Sequence, residues 1–244
     1  MDYDSLLDLV KNRRSSRWIL PDPVPDEYID KIIEVARWAP SGFNMQPWEF
    51  VVVKKPTLRK KIMAYIGGYN GLRNDMETTR ERWQGPKPKM KGQGHSKTDV
   101  TAPPVLIILY GDSRTNVGLP MGVRFEPDRL NSTILGGLAS AFLYMHLAAT
   151  SLGLASKWTS SIRSPYAHCM VNDLLGIPEY MMPYDMMELG YPAKKPGNKF
   201  LRDPRKMVHY DQCDIEDFRT DEEVKDFVKR SRSWCIGMHQ PITK

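Results

Sequence analysis

The spacing of apolar positions changes repeatedly along this chain, and each change predicts an element. In Ser5-Leu6-Leu7-Asp8-Leu9-Val10 the apolar residues suit a short helix that runs into a basic cluster. Pro21-Asp22-Pro23-Val24-Pro25 interrupts it, and Asp26 is placed to cap the next helix. Ile29, Ile32, Ile33 and Ala36 recur at helical spacing, which predicts an amphipathic helix over 26–39, ended by Pro40-Ser41-Gly42. Trp48-Glu49-Phe50-Val51-Val52-Val53 is β-branched and aromatic and predicts a strand. A helix is predicted over 57–66. The clearest buried strand covers 104–110. A long helix over 129–151 is apolar on nearly every side, with Gly136, Gly137, Ala139, Ala141, Ala148 and Ala149 offering close-packing surfaces. Such a helix is central in a domain or buried between subunits. Strands over 154–160 and 185–190 flank a helix over 165–175. Alternation of this kind defines an α/β or α+β domain.

Two regions break the pattern. Residues 67–99 mix Gly67-Gly68, Gly85-Pro86, Lys87-Pro88 and Gly92-Gln93-Gly94 with many charges. A helical part near 74–83 is expected there, followed by a loop suited to a lid. Beyond Tyr210, Thr220-Asp221-Glu222-Glu223 reads as a helix start, with Val224, Phe227 and Val228 as its apolar stripe. The extension over 211–244 is expected to wrap its own domain or a partner subunit.

Bulk properties narrow the classes. The 244 residues are most simply one domain with a subdomain, and 41% hydrophobic content argues against disorder. No apolar run is read as spanning a bilayer, and the acidic start lacks a signal-peptide core. A cytoplasmic location with no membrane partner is therefore expected. Cys169, Cys213 and Cys235 match neither a disulfide framework nor a zinc pattern, and the five histidines lack metal-ligand spacing, so no metal is expected. The net charge of +6 is concentrated in a few clusters, without a zinc finger or an aromatic-basic RNA-binding string. No nucleic-acid partner is expected.

Candidate chemistry lies in two dense motifs. Arg13-Arg14-Ser15-Ser16-Arg17 supplies three guanidiniums and two hydroxyls, a donor set for a phosphate. Ala39-Pro40-Ser41-Gly42-Phe43-Asn44-Met45-Gln46-Pro47-Trp48 is a turn carrying two amides, which can read the edge of a heterocycle. Together they are what a mononucleotide would need. The chain has no Gly-x-Gly-x-x-Gly turn, cysteine pair or iron–sulfur spacing, so a flavin is a natural redox carrier.

In this order the motifs resemble those of the nitroreductase family of FMN-dependent oxidoreductases. The resemblance continues through Gly190-Tyr191-Pro192 to Val208-His209-Tyr210. It implies an α+β fold with a central, mostly antiparallel sheet flanked by helices, in a homodimer with two FMN sites, over residues 1–210. It implies phosphate and ribityl contacts from Arg13, Arg14, Ser15 and Arg17. Pro40, Ser41, Asn44 and Gln46 would lie beside the flavin ring, and Lys199 and Arg202 would form a second phosphate grip. Trp158, Thr159 and Ser160 fall where the family's chain passes the ring, with the hydroxyls of Thr159 and Ser160 as donors to flavin N5. The implied activity is ping-pong transfer of electrons from NADH or NADPH to a nitroaromatic, quinone or similar electron-poor small molecule. The alternative is reductive dehalogenation of halogenated phenols, which the hydroxyls at 159–161 favour. That alternative lacks a lid tyrosine, since no Tyr occurs from Gly71 to Asp99.

Overall fold

A computed structural model describes residues 2–76, 102–195 and 199–235. The chain divides into two compact units, Met1–Asn70 with Asp99–Pro196, and Gly71–Thr98 with Gly197–Lys244. In chain order the helices are α1 (Tyr3–Asn12), α2 (Asp26–Arg37), α3 (Pro56–Met76), α4 (Met121–Arg124), α5 (Pro127–Ser151), α6 (Pro165–Leu175) and α7 (Asp221–Cys235). The strands are β1 (Trp48–Val53), β2 (Val105–Asp112), β3 (Ala155–Thr159) and β4 (Met181–Gly190). They form one antiparallel sheet in the order β1-β2-β4-β3.

The sheet is covered on both faces. Alternate side chains of a strand point to opposite sides. Val105, Ile107, Leu109, Met187 and Leu189 accordingly pack with Ile29, Ile32 and Ala36 of α2 and Leu138, Phe142 and Met145 of α5. Leu106, Ile108, Tyr110 and Met186 pack with Ile62, Met63 and Ile66 of α3 and Ala167 and Val171 of α6. Central β2 is buried from Val105 to Gly111, which explains its unbroken apolar run. Ser164 caps α6 by accepting the Ala167 N–H at 3.3 Å, and Gly176, at φ 67°, ends it in the left-handed conformation.

The structure corrects several expectations. Asp26 does not cap α2. Pro25 occupies that place, and the Asp26 carboxylate pairs with Lys54. The glycine pair at 67–68 does not break the chain, because α3 runs through it to Met76. Two glycines cost a helix about 2 kcal/mol of propensity, which burial of Ile62, Met63 and Ile66 in the same helix outweighs. The rest of the helix expected near 74–83, and the loop to residue 99, lie outside the described residues. By length and composition α5 could cross a bilayer, contrary to the sequence reading. It is instead a core helix, with Leu138, Ala141, Phe142, Met145, His146 and Ala149 almost fully buried. In the second unit, Thr220 and Glu223 form the expected cap of α7. The Thr220 N–H donates to Glu223 Oε2 at 3.1 Å, and the Glu223 N–H to Thr220 Oγ1 at 3.3 Å.

Gly190 marks a close crossing. A Cβ there would stand 2.5 Å from Ile19 Cγ2 and 2.8 Å from Pro104 Cγ. The backbone around Ile19 is tied to this end of the sheet, with Leu20 N–H donating to Tyr191 O at 2.8 Å and Ala193 N–H to Trp18 O at 3.1 Å. Gly190→Ala must therefore push the 18–20 segment or Pro104 away. It is expected to cost about 1–3 kcal/mol, measured as a lower urea midpoint at unchanged m-value.

Candidate functional site

The basic cluster leaves α1 in extended conformation and is stitched to the sheet on both sides. Ser15 bridges Ser156 in parallel, and the Ser16 N–H donates to Ser156 O at 2.9 Å. Four residues later Ile19 bridges Pro192. Arg13 and Arg14 are half-buried, and Ser15 and Arg17 are exposed. Burial, and then the neighbouring Arg14, push the Arg13 guanidinium pKa down. Among the described residues no carboxylate offsets Arg13. A half-buried cation beside another cation is costly unless an anion meets it. The Ser16 hydroxyl is already used on Trp18 O at 3.1 Å. Arg13, Arg14 and Ser15 are thus the part of this set best placed for an anion.

Ser156 joins the cluster to the core. Its hydroxyl meets Nδ1 of His146 at 2.7 Å. His146 is fully buried, and its ring stacks on Trp158 at 5.2 Å with the planes 2° apart. Phe142 meets both rings edge-on, at 4.9 and 4.6 Å. The Trp158 indole N–H donates to buried Asp185 at 2.5 Å, and Arg163 stands 3.2 Å from the other oxygen of that carboxylate. That 3.2 Å approach is an ion pair without hydrogen-bond alignment, because Asp185 Oδ1 accepts no hydrogen bond. Burial raises the Asp185 pKa against the lowering effects of Trp158 and Arg163. The Trp158 indole is therefore engaged inside the aromatic stack.

The two expected N5 donors differ sharply. Thr159 is buried, and its hydroxyl donates to Glu188 Oε1 at 2.7 Å, the same oxygen that Lys157 Nζ reaches at 2.7 Å. Ser160, one residue past β3, is exposed. Ser161 donates to Asn70 Oδ1 at 2.9 Å. Of the 159–161 hydroxyls, Ser160 alone has no described partner and faces solvent.

The amide loop is built on Ser41 and α5. Ser41 Oγ accepts the Gln46 N–H at 3.0 Å, and its carbonyl accepts the Asn44 N–H at 3.0 Å. Phe43, Asn44 and Gln46 all have positive φ, of 54°, 55° and 45°. Left-handed backbone at three non-glycine residues costs about 1–3 kcal/mol each, and such strain collects at ligand sites. Gly137 of α5 allows the close approach, since a Cβ there would lie 3.1 Å from Ser41 Cβ. Asn44, Gln46 and Pro40 are exposed, and Gln46 Nε2 donates to Asn44 Oδ1 at 3.3 Å.

The fold does not bring the two motifs together within the chain. The loop precedes Trp48 on one edge strand, where Trp48 pairs with Gly111. The cluster joins Ser156 on the other edge strand, where Ser156 pairs with Leu189 and Leu189 with Val105. The separation is about 20 Å along the strands and about 14 Å across them. Lys199 and Arg202 belong to the second unit, where Lys199 is exposed and Arg202 donates to Lys206 O at 3.0 Å. Sequence reasoning missed His146, Asp185 and Glu188. Each is a polar residue inside an apolar run, and that was the available signal.

The Nitroreductase family model matches residues 10–191. The chain belongs to the nitroreductase family. It is 29% identical over 199 residues to a protein of Methanothermobacter thermautotrophicus provisionally named NADH dehydrogenase/NAD(P)H nitroreductase, covering 82% of this chain and 83% of that one. It is 38% identical over 196 residues to iodotyrosine deiodinase 1 of Rattus norvegicus, covering 80% of this chain but 64% of that longer protein. A solved structure from Bacteroides thetaiotaomicron, also provisionally named NADH dehydrogenase/NAD(P)H nitroreductase, superposes with a TM-score of 0.59 at 26% identity. It covers 86% of this chain and 98% of the other.

Burial, and then Arg13, push the His146 pKa down to about 3. Its ordinary value is about 6.5. Between these values the unfolded chain binds a proton that the fold refuses. This contribution to stability is full above about pH 6.5 and falls by up to about 1.4 kcal/mol per pH unit on acidification. His146→Gln is expected to remove that slope. Urea unfolding from pH 7 to 4 should show the stability gap between wild type and variant narrowing, and a gap constant with pH would refute the charge account.

Proposed function

We propose that this protein is an FMN-dependent oxidoreductase that uses NADH or NADPH to reduce nitroaromatics, quinones or similar electron-poor acceptors. The observation that carries the reading is Arg13, which no carboxylate offsets among the described residues, beside Arg14 and clamped to β3 through Ser156. This donor set fits the phosphate of a flavin mononucleotide. FMN, when bound, supplies the redox chemistry, taking electrons from NAD(P)H and passing them to the acceptor in a ping-pong cycle.

The protein's own residues position and tune. Arg13, Arg14, Ser15 and Arg17 would hold the phosphate and ribityl end. The exposed Ser160 hydroxyl would be the donor to flavin N5, while the Thr159 hydroxyl is held by Glu188. The Pro40, Ser41, Asn44 and Gln46 loop would serve the flavin of a partner subunit. The separation of the two motifs across the sheet supports that assignment, because a two-fold dimer can bring one chain's loop to the other's cluster. Exposed Trp38 at 80%, Phe125 at 69% and Phe43 at 57% also support a homodimer, since so much aromatic surface is costly in water.

Arg13→Ala is expected to lose about 1.5–3 kcal/mol of FMN binding, roughly a 10- to 150-fold rise in Kd, read by quenching of flavin fluorescence. Arg37→Ala, at an exposed position of α2 that pairs with Glu34, should leave the affinity unchanged. Wild type loaded with FMN should oxidise NADH or NADPH when menadione is supplied. No FMN binding and no turnover would overturn the reading.

A second reading, reductive dehalogenation, is favoured by the 38% identity to iodotyrosine deiodinase 1, beside the hydroxyl at Ser160. Parallel assays of iodide release from iodotyrosine and of nitrobenzene reduction separate the two. Nitro reduction without iodide is the expected result, and rapid iodide release under reducing conditions would reverse the ranking.

A further inference from the structure

The second unit carries a donor cluster that the redox reading leaves unused. His209, Cys213 and Asp217 are exposed, and an imidazole nitrogen, the thiol sulfur and a carboxylate oxygen all lie within 4.8 Å of one another. The sequence reading found no zinc pattern among the cysteines and no metal-ligand spacing among the histidines, and Asp217 did not enter it; in sequence the three residues stand four positions apart. Local structure brings them to one point. Asp211 has a φ of 59°, and the Gln212 N–H donates to Tyr210 O at 2.7 Å, so the chain reverses between His209 and Cys213. Asp217 closes a 3-10 turn, and its Oδ2 accepts the Asp214 N–H at 2.9 Å, which aims the carboxylate and leaves Oδ1 available. The His209 ring rests against Phe218, with centroids 5.0 Å apart.

We propose that His209, Cys213 and Asp217 form a site for a divalent ion of the zinc class, which clips the C-terminal extension together just ahead of α7. The chemistry of the donors selects the ion. Magnesium and calcium require oxygen ligands, whereas a thiolate with an imidazole and a carboxylate suits zinc or cobalt. Bonds of about 2.0–2.3 Å to a tetrahedral ion place donors about 3.3–3.8 Å apart. Exposed side chains need to close by only about 1 Å to reach that geometry from 4.8 Å. Three protein ligands leave the fourth position to water or an anion. His209 and Asp217 also line a groove of about 550 Å³ with Lys206 and Arg219, through which such an anion can approach. Binding requires the thiol and imidazole to be deprotonated, so it releases protons and weakens in acid.

The test is titration of the full-length FMN-loaded protein with Co²⁺ alone, followed by difference absorbance. One equivalent should produce a thiolate-to-cobalt band in the near ultraviolet. Tetrahedral bands should appear in the red, where oxidised flavin does not absorb, and Zn²⁺ should displace both. Cys213→Ser should abolish the thiolate band. His209→Ala and Asp217→Asn should each raise the Co²⁺ Kd at least about 10-fold, the smallest loss seen even for outer-shell partners. Cys169→Ser, exposed in the other unit, should change nothing. Absence of a thiolate band in wild type, or its persistence in Cys213→Ser, would overturn the proposal. FMN binding is read separately, so failure here leaves the redox reading intact.

Discussion

A half-buried pair of guanidiniums with no described carboxylate for Arg13 is tolerable only where rigid structure holds it, and here one residue does most of the holding. Ser156 accepts the backbone of the basic segment, pairs with Leu189 in the sheet and meets buried His146 through its hydroxyl. The cation site, edge strand β3 and core helix α5 therefore meet at a single point. Exposed ion pairs such as Lys31–Glu27 are screened by solvent and contribute too little to fix such a geometry. The fixing comes from main-chain hydrogen bonds at Ser16, Leu20 and Ala193, together with the packing of Phe142, His146 and Trp158.

The same stitching deals with an exposed strand edge. β3 has a free side that would otherwise invite pairing with another chain. The segment through Ser15 and Ser16 covers part of it at Ser156. The edge is thus blunted by the residues that gather the cations, so protection of the fold and construction of the site are one device. On the opposite edge, the strained turn at Phe43, Asn44 and Gln46 precedes β1 and is held by Ser41 against Gly137. Strain of this size must be offset by neighbouring contacts, and the close approach of Ser41 that Gly137 allows is one of them.

Much of the fold was legible in the sequence because it is written in local periodicity. The strand at 48–53 and the helix at 165–175 lie where the apolar pattern puts them, with Pro165 and Gly176 marking the helix ends. What failed was local chemistry overruled by packing. Gly67 and Gly68 read as a break, yet the burial of Ile62, Met63 and Ile66 carries α3 past them. Asp26 read as a cap, but its carboxylate found Lys54, across the sequence. The candidate motifs were visible because their residue types are dense. Their separation across the sheet was not, because strand order is set by contacts between distant residues. His146 illustrates the limit. Within an apolar helix it is a single anomalous letter, and only the fold reveals that its partner is Ser156 and its neighbour Arg13.

The environment of β3 bears on how much chemistry the side chains need to do. Glu188 is buried, and its Oε1 collects two donors, the Lys157 ammonium and the Thr159 hydroxyl. A charge-assisted hydrogen bond is worth about 1.5–3 kcal/mol, so turning the Thr159 hydroxyl toward a ligand would forfeit that much and leave the carboxylate less well satisfied. Ser160 carries no such debt. The competition is therefore decided by the partner each hydroxyl already has, rather than by which residue type is the better donor. Position along the strand sets this outcome. Thr159 points to the side where its cross-strand neighbours include Glu188, whereas Ser160 has left the ladder and is free to turn outward. On the proposed reading, a site whose reactive group is borrowed would require little more from the chain: an anchor for the anion, a strained loop kept in place, and the exposed Ser160 hydroxyl at the end of an edge strand.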